Sequence, residues 1–339
     1  MKLVSYTFNV ADNLGIFYNG KIYNVNIAGR QLGFDLPKRM KNFLRAGERT
    51  IRLTRQVNAA ITRGEIKSEV TGDNLRLLAP VSQPSSCRDA YAFRQHVETA
   101  RKNRGVPMIP EFDQFPVFYF TNHNAIVGEG DIFLESDHFL KLDFELEVAI
   151  VIGKRGKNIP VKEADSHIAG YMIMNDISAR TLQMEEMKLN LGPAKGKDFA
   201  TVIGPWLVTP DELEQYKIES DSGNKYDLRM TAKHNGKLIS DGNMKDMNWT
   251  FAEIIERASY GVELLPGDVI GSGTVGTGCY LELNGTREIE AKEKGKKFTP
   301  VWIKEGDTME LEITGLGVLK NTFRKQEEKY SILSKKKNT

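Results

Sequence analysis

A chain of 339 residues that is 40% hydrophobic, 27% charged and 9% aromatic has apolar material for one large core, or for a small domain beside a larger one. Its 47 Lys and Arg against 45 Asp and Glu leave a net charge of +2, which points to neither a nucleic-acid nor a membrane partner. Two cysteines, Cys87 and Cys279, are too few for a disulfide framework or a zinc site, so a reducing cytoplasm is the expected setting.

The N-terminal MKLVSYTFNVADNLG reaches Asp12 before the apolar stretch of a secretory signal can develop. No later apolar run approaches the ~20 residues that span a bilayer. Residues 1–80 form one block, expected to be a small N-terminal α/β domain. In it KLVSYTF and LGIFYNGKIYNV read as strands, the second folded into a hairpin at Asn19-Gly20. Apolar positions Phe43, Leu44, Ile51, Val57, Ala60 and Ile61 predict a helix from Pro37 to Arg63. The segment LLAPVSQPSS leads into a second block, 81–323.

The second block opens with CRDAYAFRQHVETARKNRG, which predicts a helix capped near Ser86 or Asp89 and closed by Gly105. FPVFYFTN, FELEVAIVIG, GYMIMNDIS, GPWLVTP, YDLRMTAKHNGKLI and TMELEITGLGVLKN predict strands, with a second Asn-Gly turn in KHNGK. MNWTFAEIIERAS is an amphipathic helix, and LLPGDVIGSGT is a turn entering a strand. Strands that do not alternate strictly with helices predict an α+β fold with a mixed sheet. Residues 324–339, ending in SKKKNT, read as a charged, frayed tail too short for a nucleic-acid arm.

Four acids are out of place in this pattern. Asp89, Glu145, Glu147 and Asp176 each lie in or beside an apolar stretch, and an unpaired ionised group buried there costs several kcal/mol, roughly. Period-2 alternation puts Asp143, Glu145 and Glu147 on one strand face. A solvated face would explain an isolated E-x-E. The run VAIVI that follows predicts burial on both faces instead. A hard divalent cation holds several carboxylates together, because Mg²⁺ and Ca²⁺ take oxygen ligands. On the Asp89 segment His96 becomes a candidate general base beside such a cation, with Glu282 in CYLELN, read as a strand, as the acceptor that orients it. GSGTVG fits G-x-G-x-x-G at Gly271, Gly273 and Gly276. The β-favouring residues after it argue against the strand–loop–helix setting a dinucleotide requires.

The strings DAYAFRQH, LDFELEVA, NDISARTLQ, LGPAKGKDFAT and GSGT followed by LEL resemble, in this order, the fumarylacetoacetate hydrolase family over roughly residues 85–320. The resemblance implies a mixed β-sheet or β-roll catalytic domain, a homodimer, and Mg²⁺ or Ca²⁺ (Mn²⁺ being a further option) with no organic cofactor. It implies cation ligands at Asp89, Glu145, Glu147 and Asp176, a base at His96 and its orienting carboxylate at Glu282. Arg180, Gln183 and Lys197 would surround the substrate's oxygen atoms, Lys197 and Thr201 would adjoin the cation, and Tyr91, Tyr119 and Thr274 would line the pocket. The implied reaction is carbon–carbon cleavage of a dicarboxylic β-diketo acid, fumarylacetoacetate to fumarate and acetoacetate, as in aromatic amino-acid catabolism. Acylpyruvate or sugar-derived diketo acid hydrolysis, 2-oxo acid decarboxylation, or a non-catalytic metal-binding role are the alternatives. Two positions depart from the family: Met187 stands where it has tyrosine, and Gly105 where it has arginine, with Arg101 and Arg104 close by.

Overall fold

The computed structural model describes residues 1–8, 11–67, 69–72, 74–328 and 330–337. Strands Ala11–Tyr18 and Lys21–Asn24 form the expected hairpin. Its turn residues Asn19 and Gly20 have φ of 47° and 76°, the left-handed pair of a two-residue hairpin loop. The helix expected over 37–63 is instead two, Met40–Arg45 and Glu48–Thr62, broken at Gly47, whose φ of 75° no helix interior accommodates. The amphipathic helix is found at Phe251–Ser259, started by a Thr250–Glu253 capping box.

In a twelve-stranded mixed sheet, Lys2–Phe8 pairs with Thr201–Val208, so the N-terminal strands extend the sheet of the second block. The sheet continues through Ile168–Asp176, Leu146–Ile152, Val269–Gly271 and Cys87–Ala90 to its edge at Phe118–Thr121. A five-stranded sheet, ordered Lys237–Asn243, Arg229–His234, Thr308–Ile313, Gly317–Lys325 and Gly130–Leu134, covers one of its faces.

Alternation along Leu146–Ile152 explains how both faces are buried. Val148, Ile150 and Ile152 pack with Met230, Leu311, Ile313 and Leu319 of the smaller sheet. Ala149 and Val151 point the other way, into a core with Leu44, Val57 and Ile61 of the N-terminal helices. Glu147 belongs to this second face. Across the sheet it stands opposite Met174, whose face Asp176 shares two residues on. On the other side Ala149 meets Gly271, and Gly271 meets Asp89. Strand register therefore sets Asp89, Glu147 and Asp176 on one face at one end of the sheet.

Two further segments, both in the second block, differ from the sequence reading. Cys87–Ala90, with Asp89, is a strand; it is paired on both sides, with Val269–Gly271 and Phe118–Thr121, and this pairing overrides the local helical pattern. The helix starts only at Arg94 and runs to Lys102. Conversely Tyr280–Glu293, carrying Glu282, is a helix and not a strand. The Asp143 carboxylate accepts the Tyr280 and Leu281 N–H groups at 2.7 and 2.9 Å, and Cys279 Sγ accepts that of Glu282 at 3.5 Å. Those bonds satisfy donors that a helix start leaves free. A strand thus does precede GSGTVG and a helix does follow it, but a pyrophosphate would compete with Asp143 for the same N–H groups.

The tail is docked over Ser331–Lys336. Ser331 Oγ and the Leu333 N–H donate to Asp137 at 2.9 and 3.0 Å, and Lys336 pairs with Glu185. Lys329, Asn338 and Thr339, also within the expected tail, lie outside the described residues. Among the described residues no helix is long and apolar enough to cross a membrane.

Candidate active site

Asp89, Glu145, Glu147 and Asp176 converge where register places them, each offering a carboxylate oxygen within 4.8 Å of the others. All four are buried, Glu147 and Asp176 at 0% exposure. Asp143 does not join them. The strand geometry is interrupted at Phe144 and Glu145, so alternation does not carry through, and Asp143 turns to the helix start at Tyr280.

Two cations balance part of this charge. Lys197, in a turn but with its side chain buried, donates from Nζ to Asp176 Oδ2 at 2.7 Å and to Glu145 Oε2. Arg180 Nη2 donates to Glu145 Oε1 at 2.7 Å, its Nε to Asp143 Oδ2 at 2.8 Å and its Nη1 to Gln183 Oε1 at 2.9 Å. Both oxygens of Glu145 are thereby engaged. Burial alone would raise its carboxyl, but Lys197, Arg180 and His96 together hold it well below the usual range. Among the described residues, Asp89 and Glu147 have no such cation bonded to them. Burial, with the charge of Asp176 adding to it, pushes Asp89 up to about 8. Burial and then the neighbouring Asp89, Asp176 and Glu145 push Glu147 well above the usual range. For Lys197, Asp176 and Glu145 outweigh burial and keep the ammonium charged.

The donor set fits a hard divalent cation. Glu147 Oε2, Asp176 Oδ1 and the Thr201 hydroxyl beside them are buried without a hydrogen-bond partner, and buried polar atoms are rarely left so. Tyr119 donates from its hydroxyl to Asp176 Oδ2 at 2.5 Å, the Gly273 N–H to Asp89 Oδ1 at 3.0 Å, and the Thr274 hydroxyl to Glu147 Oε1 at 3.5 Å. Gly271 is what lets these acids approach. A Cβ there would lie 2.5 Å from Asp89 Oδ1, 2.8 Å from Met174 Sδ and 3.0 Å from Glu147 Oε2. Gly271→Ala is therefore expected to displace the acids and weaken Mg²⁺ binding by on the order of 10–100-fold. Calorimetry giving wild-type affinity would show that this cluster does not hold the ion.

Next to the acids, His96 Nδ1 meets Glu282 Oε2 at 2.6 Å, both side chains being buried. Glu282 Oε1 takes the Thr277 N–H at 2.9 Å, which fixes the carboxylate. The edge of Tyr91 packs on the imidazole, ring centroids 6.0 Å apart. Cys279 completes a His96–Cys279–Glu282 grouping, but its sulfur serves the helix start.

A cavity of about 570 Å³ opens over both groups. Asp89, Tyr91, His96, Tyr119, Glu145, Arg180, Gln183, Lys197 and Thr274 line it. Glu147, Asp176, Thr201 and Glu282 stand behind this lining, bonded to or beside it. Arg104, Lys141, Met184, Met187 and Trp302 also line the cavity, whereas Gly105 and Arg101 do not. Lys141 and Trp302 were not singled out from the sequence. Their positions carry no local signal, because distant segments bring them to the site.

Fold and site together describe a buried all-carboxylate cluster able to hold a hard cation, with an imidazole–carboxylate pair opening onto the same cavity. The family model "Fumarylacetoacetate (FAA) hydrolase C-terminal" matches residues 86–324, and the chain belongs to the fumarylacetoacetate hydrolase family, a family of enzymes. It is similar to the human mitochondrial oxaloacetate tautomerase FAHD2A, 31% identical over 305 residues, 89% of this chain and 83% of that protein. It is also similar to the fumarylacetoacetase of Oryza sativa subsp. japonica, 31% identical over 246 residues, 59% of this chain and 56% of that protein. The solved fumarylacetoacetate hydrolase of Exiguobacterium antarcticum shares the fold at a TM-score of 0.68 and 24% identity, covering 96% of this chain and all of that one.

Proposed function

We propose that the chain is a divalent-cation-dependent hydrolase that cleaves a carbon–carbon bond in a β-diketo acid, with fumarylacetoacetate as the first candidate substrate. The observation that carries this reading is the His96–Glu282 pair, 2.6 Å apart, beside the four carboxylates in one cavity. When bound by Asp89, Glu145, Glu147 and Asp176, Mg²⁺ or Ca²⁺ would supply Lewis-acid polarisation of a carbonyl. The Glu282 carboxylate accepts from Nδ1–H of His96, which leaves Nε2 as the lone pair that takes a proton from water. The hydroxide oxygen bonds to the carbonyl carbon, collapse of that adduct breaks the adjacent carbon–carbon bond with its electron pair leaving on the departing carbon, and the imidazolium, stabilised by Glu282, returns its proton to that carbon.

Lys197 spends two of its three N–H donors on Glu145 and Asp176, so the third is left for a substrate oxygen. Gln183 accepts from Arg180 through Oε1, so its amide N–H groups face the cavity. Fixed donors of this kind at a developing oxyanion are each worth about 3 kcal/mol of barrier. Arg104 and Lys141 in the lining support a substrate with a second carboxylate. The family resemblance supports a homodimer, and the buried thiols of Cys87 and Cys279 suit a reducing compartment.

A second reading is keto–enol tautomerisation of a 2-oxo dicarboxylic acid. It is favoured by the wider match to the oxaloacetate tautomerase, which spans 89% of the chain against 59% for the fumarylacetoacetase. A panel of β-diketo acids, with the enol of oxaloacetate as a further arm, separates the two when ultraviolet absorbance is followed with and without EDTA. Cleavage that EDTA abolishes is the expected result. Ketonisation of oxaloacetate without cleavage of any diketo acid would replace hydrolysis by tautomerisation, and cleavage indifferent to EDTA would remove the cation from the reaction.

A further inference from the structure

We propose that Asp143 is a positioning residue that ties the carboxylate cluster to the imidazole–carboxylate pair, so that neither half of the site is set independently of the other. The inference deepens the proposed function and rests on it for the meaning of the two halves.

Asp143 is completely buried, yet it neither lines the cavity nor joins the four clustered acids. Its two oxygens receive four donors. Oδ1 takes the N–H groups of Phe144 at 2.9 Å and Tyr280 at 2.7 Å. Oδ2 takes the N–H of Leu281 at 2.9 Å and Nε of Arg180 at 2.8 Å. All four partners are donors only, so a protonated carboxyl would have nothing to donate to; the geometry requires the carboxylate.

The two directions of this network reach the two halves of the chemistry. Arg180 passes from Asp143 to Glu145 Oε1 at 2.7 Å, and thus fixes one of the clustered acids. Tyr280 and Leu281 open the helix whose next residue is Glu282, the partner of His96. A displacement of Asp143 moves the helix start and the guanidinium together. Other anchors hold each half singly, Lys197 on Glu145 and Thr277 on Glu282. Among the described residues Asp143 is the side chain bonded to both Arg180 and the start of the Glu282 helix.

Asp143→Asn keeps the volume but offers one acceptor oxygen and turns an amide N–H₂ toward a donor, either Arg180 Nε or a helix N–H. The test reads both halves without substrate. Mg²⁺ affinity is measured by calorimetry, and the downfield Nδ1 proton of His96 by NMR. In Asp143→Asn we expect about 10-fold weaker Mg²⁺ binding together with a shifted or broadened His96 resonance. Turnover should fall through kcat more than through KM. A purely structural role would lower thermal stability and leave the resonance and the affinity of the folded fraction at their wild-type values, which would overturn the proposal.

Should Asp143→Asn not fold, Arg180→Gln decides, since it cuts the same chain from the other end with the helix cap intact. A His96 resonance moved by Arg180→Gln but not by Lys197→Met, which strips the other cation from Glu145 without touching Asp143, supports the link, and no shift, or an equal shift in both variants, reduces Asp143 to a helix cap. Absence of turnover on every diketo acid would remove the proposed function while leaving these substrate-free readings to decide the link.

Discussion

Replacing His96 with alanine is expected to lower hydrolysis by about 10²–10⁴-fold, the range that a positioned general base contributes, while Mg²⁺ affinity stays close to wild type. The separation of the two readouts follows from the geometry. His96 bonds to Glu282, whereas the four carboxylates are held by Lys197, Arg180, Tyr119 and the Gly273 N–H. None of those hydrogen bonds is made by the imidazole, whose effect on Glu145 comes after those of Lys197 and Arg180. The alanine variant opens space in a cavity that already spans about 570 Å³, so added imidazole should restore part of the rate. Stopped-flow absorbance of a diketo acid and calorimetry with Mg²⁺ check the two halves separately. Undiminished hydrolysis would take the base away from His96, and a parallel collapse of Mg²⁺ binding would mean that the imidazole supports the cluster.

Part of this site is legible in the amino-acid sequence alone. Residues whose chemistry is at odds with their surroundings announce themselves, which is why Glu145, Glu147 and Asp176 could be read from acids set in apolar strands. The Asn-Gly hairpins were equally plain, since positive φ at two successive positions admits few residue pairs. What escaped was set by distant partners. Asp89 lies on a four-residue strand whose neighbours are residues 118–121 and 269–271, and a local helical pattern cannot report them. The sequence marks Glu282 as the orienting acid but reads its segment as a strand, because the helix it occupies is started by Asp143, 137 residues before Tyr280. The same distance hid Asp143 itself, which looked like one more acid on an alternating face.

Glu147→Gln is expected to weaken Mg²⁺ by on the order of 100-fold or more and to abolish turnover with it, without destabilising the cation-free protein. Glu147 is a cleaner probe than Glu145. Both oxygens of Glu145 are taken by Arg180 and Lys197, so changing it would also strand two buried cations. Glu147 has no donor on Oε2 and a long contact from Thr274 at 3.5 Å on Oε1, with the Asp89 carboxyl beside it. Without an ion, five buried acids, Asp89, Asp143, Glu145, Glu147 and Asp176, share the cations Arg180 and Lys197, and burial with the neighbouring carboxylates favours the neutral form of Glu147. The amide stands in for that neutral carboxyl at nearly constant volume. Thermal melts in EDTA should therefore show the variant at least as stable as wild type, and Mg²⁺ should raise the melting temperature of wild type only. A variant that still gains stability from Mg²⁺ to the wild-type extent would place the cation elsewhere. One that loses stability in EDTA would mean that Glu147 is held by contacts within the protein and not kept for an ion.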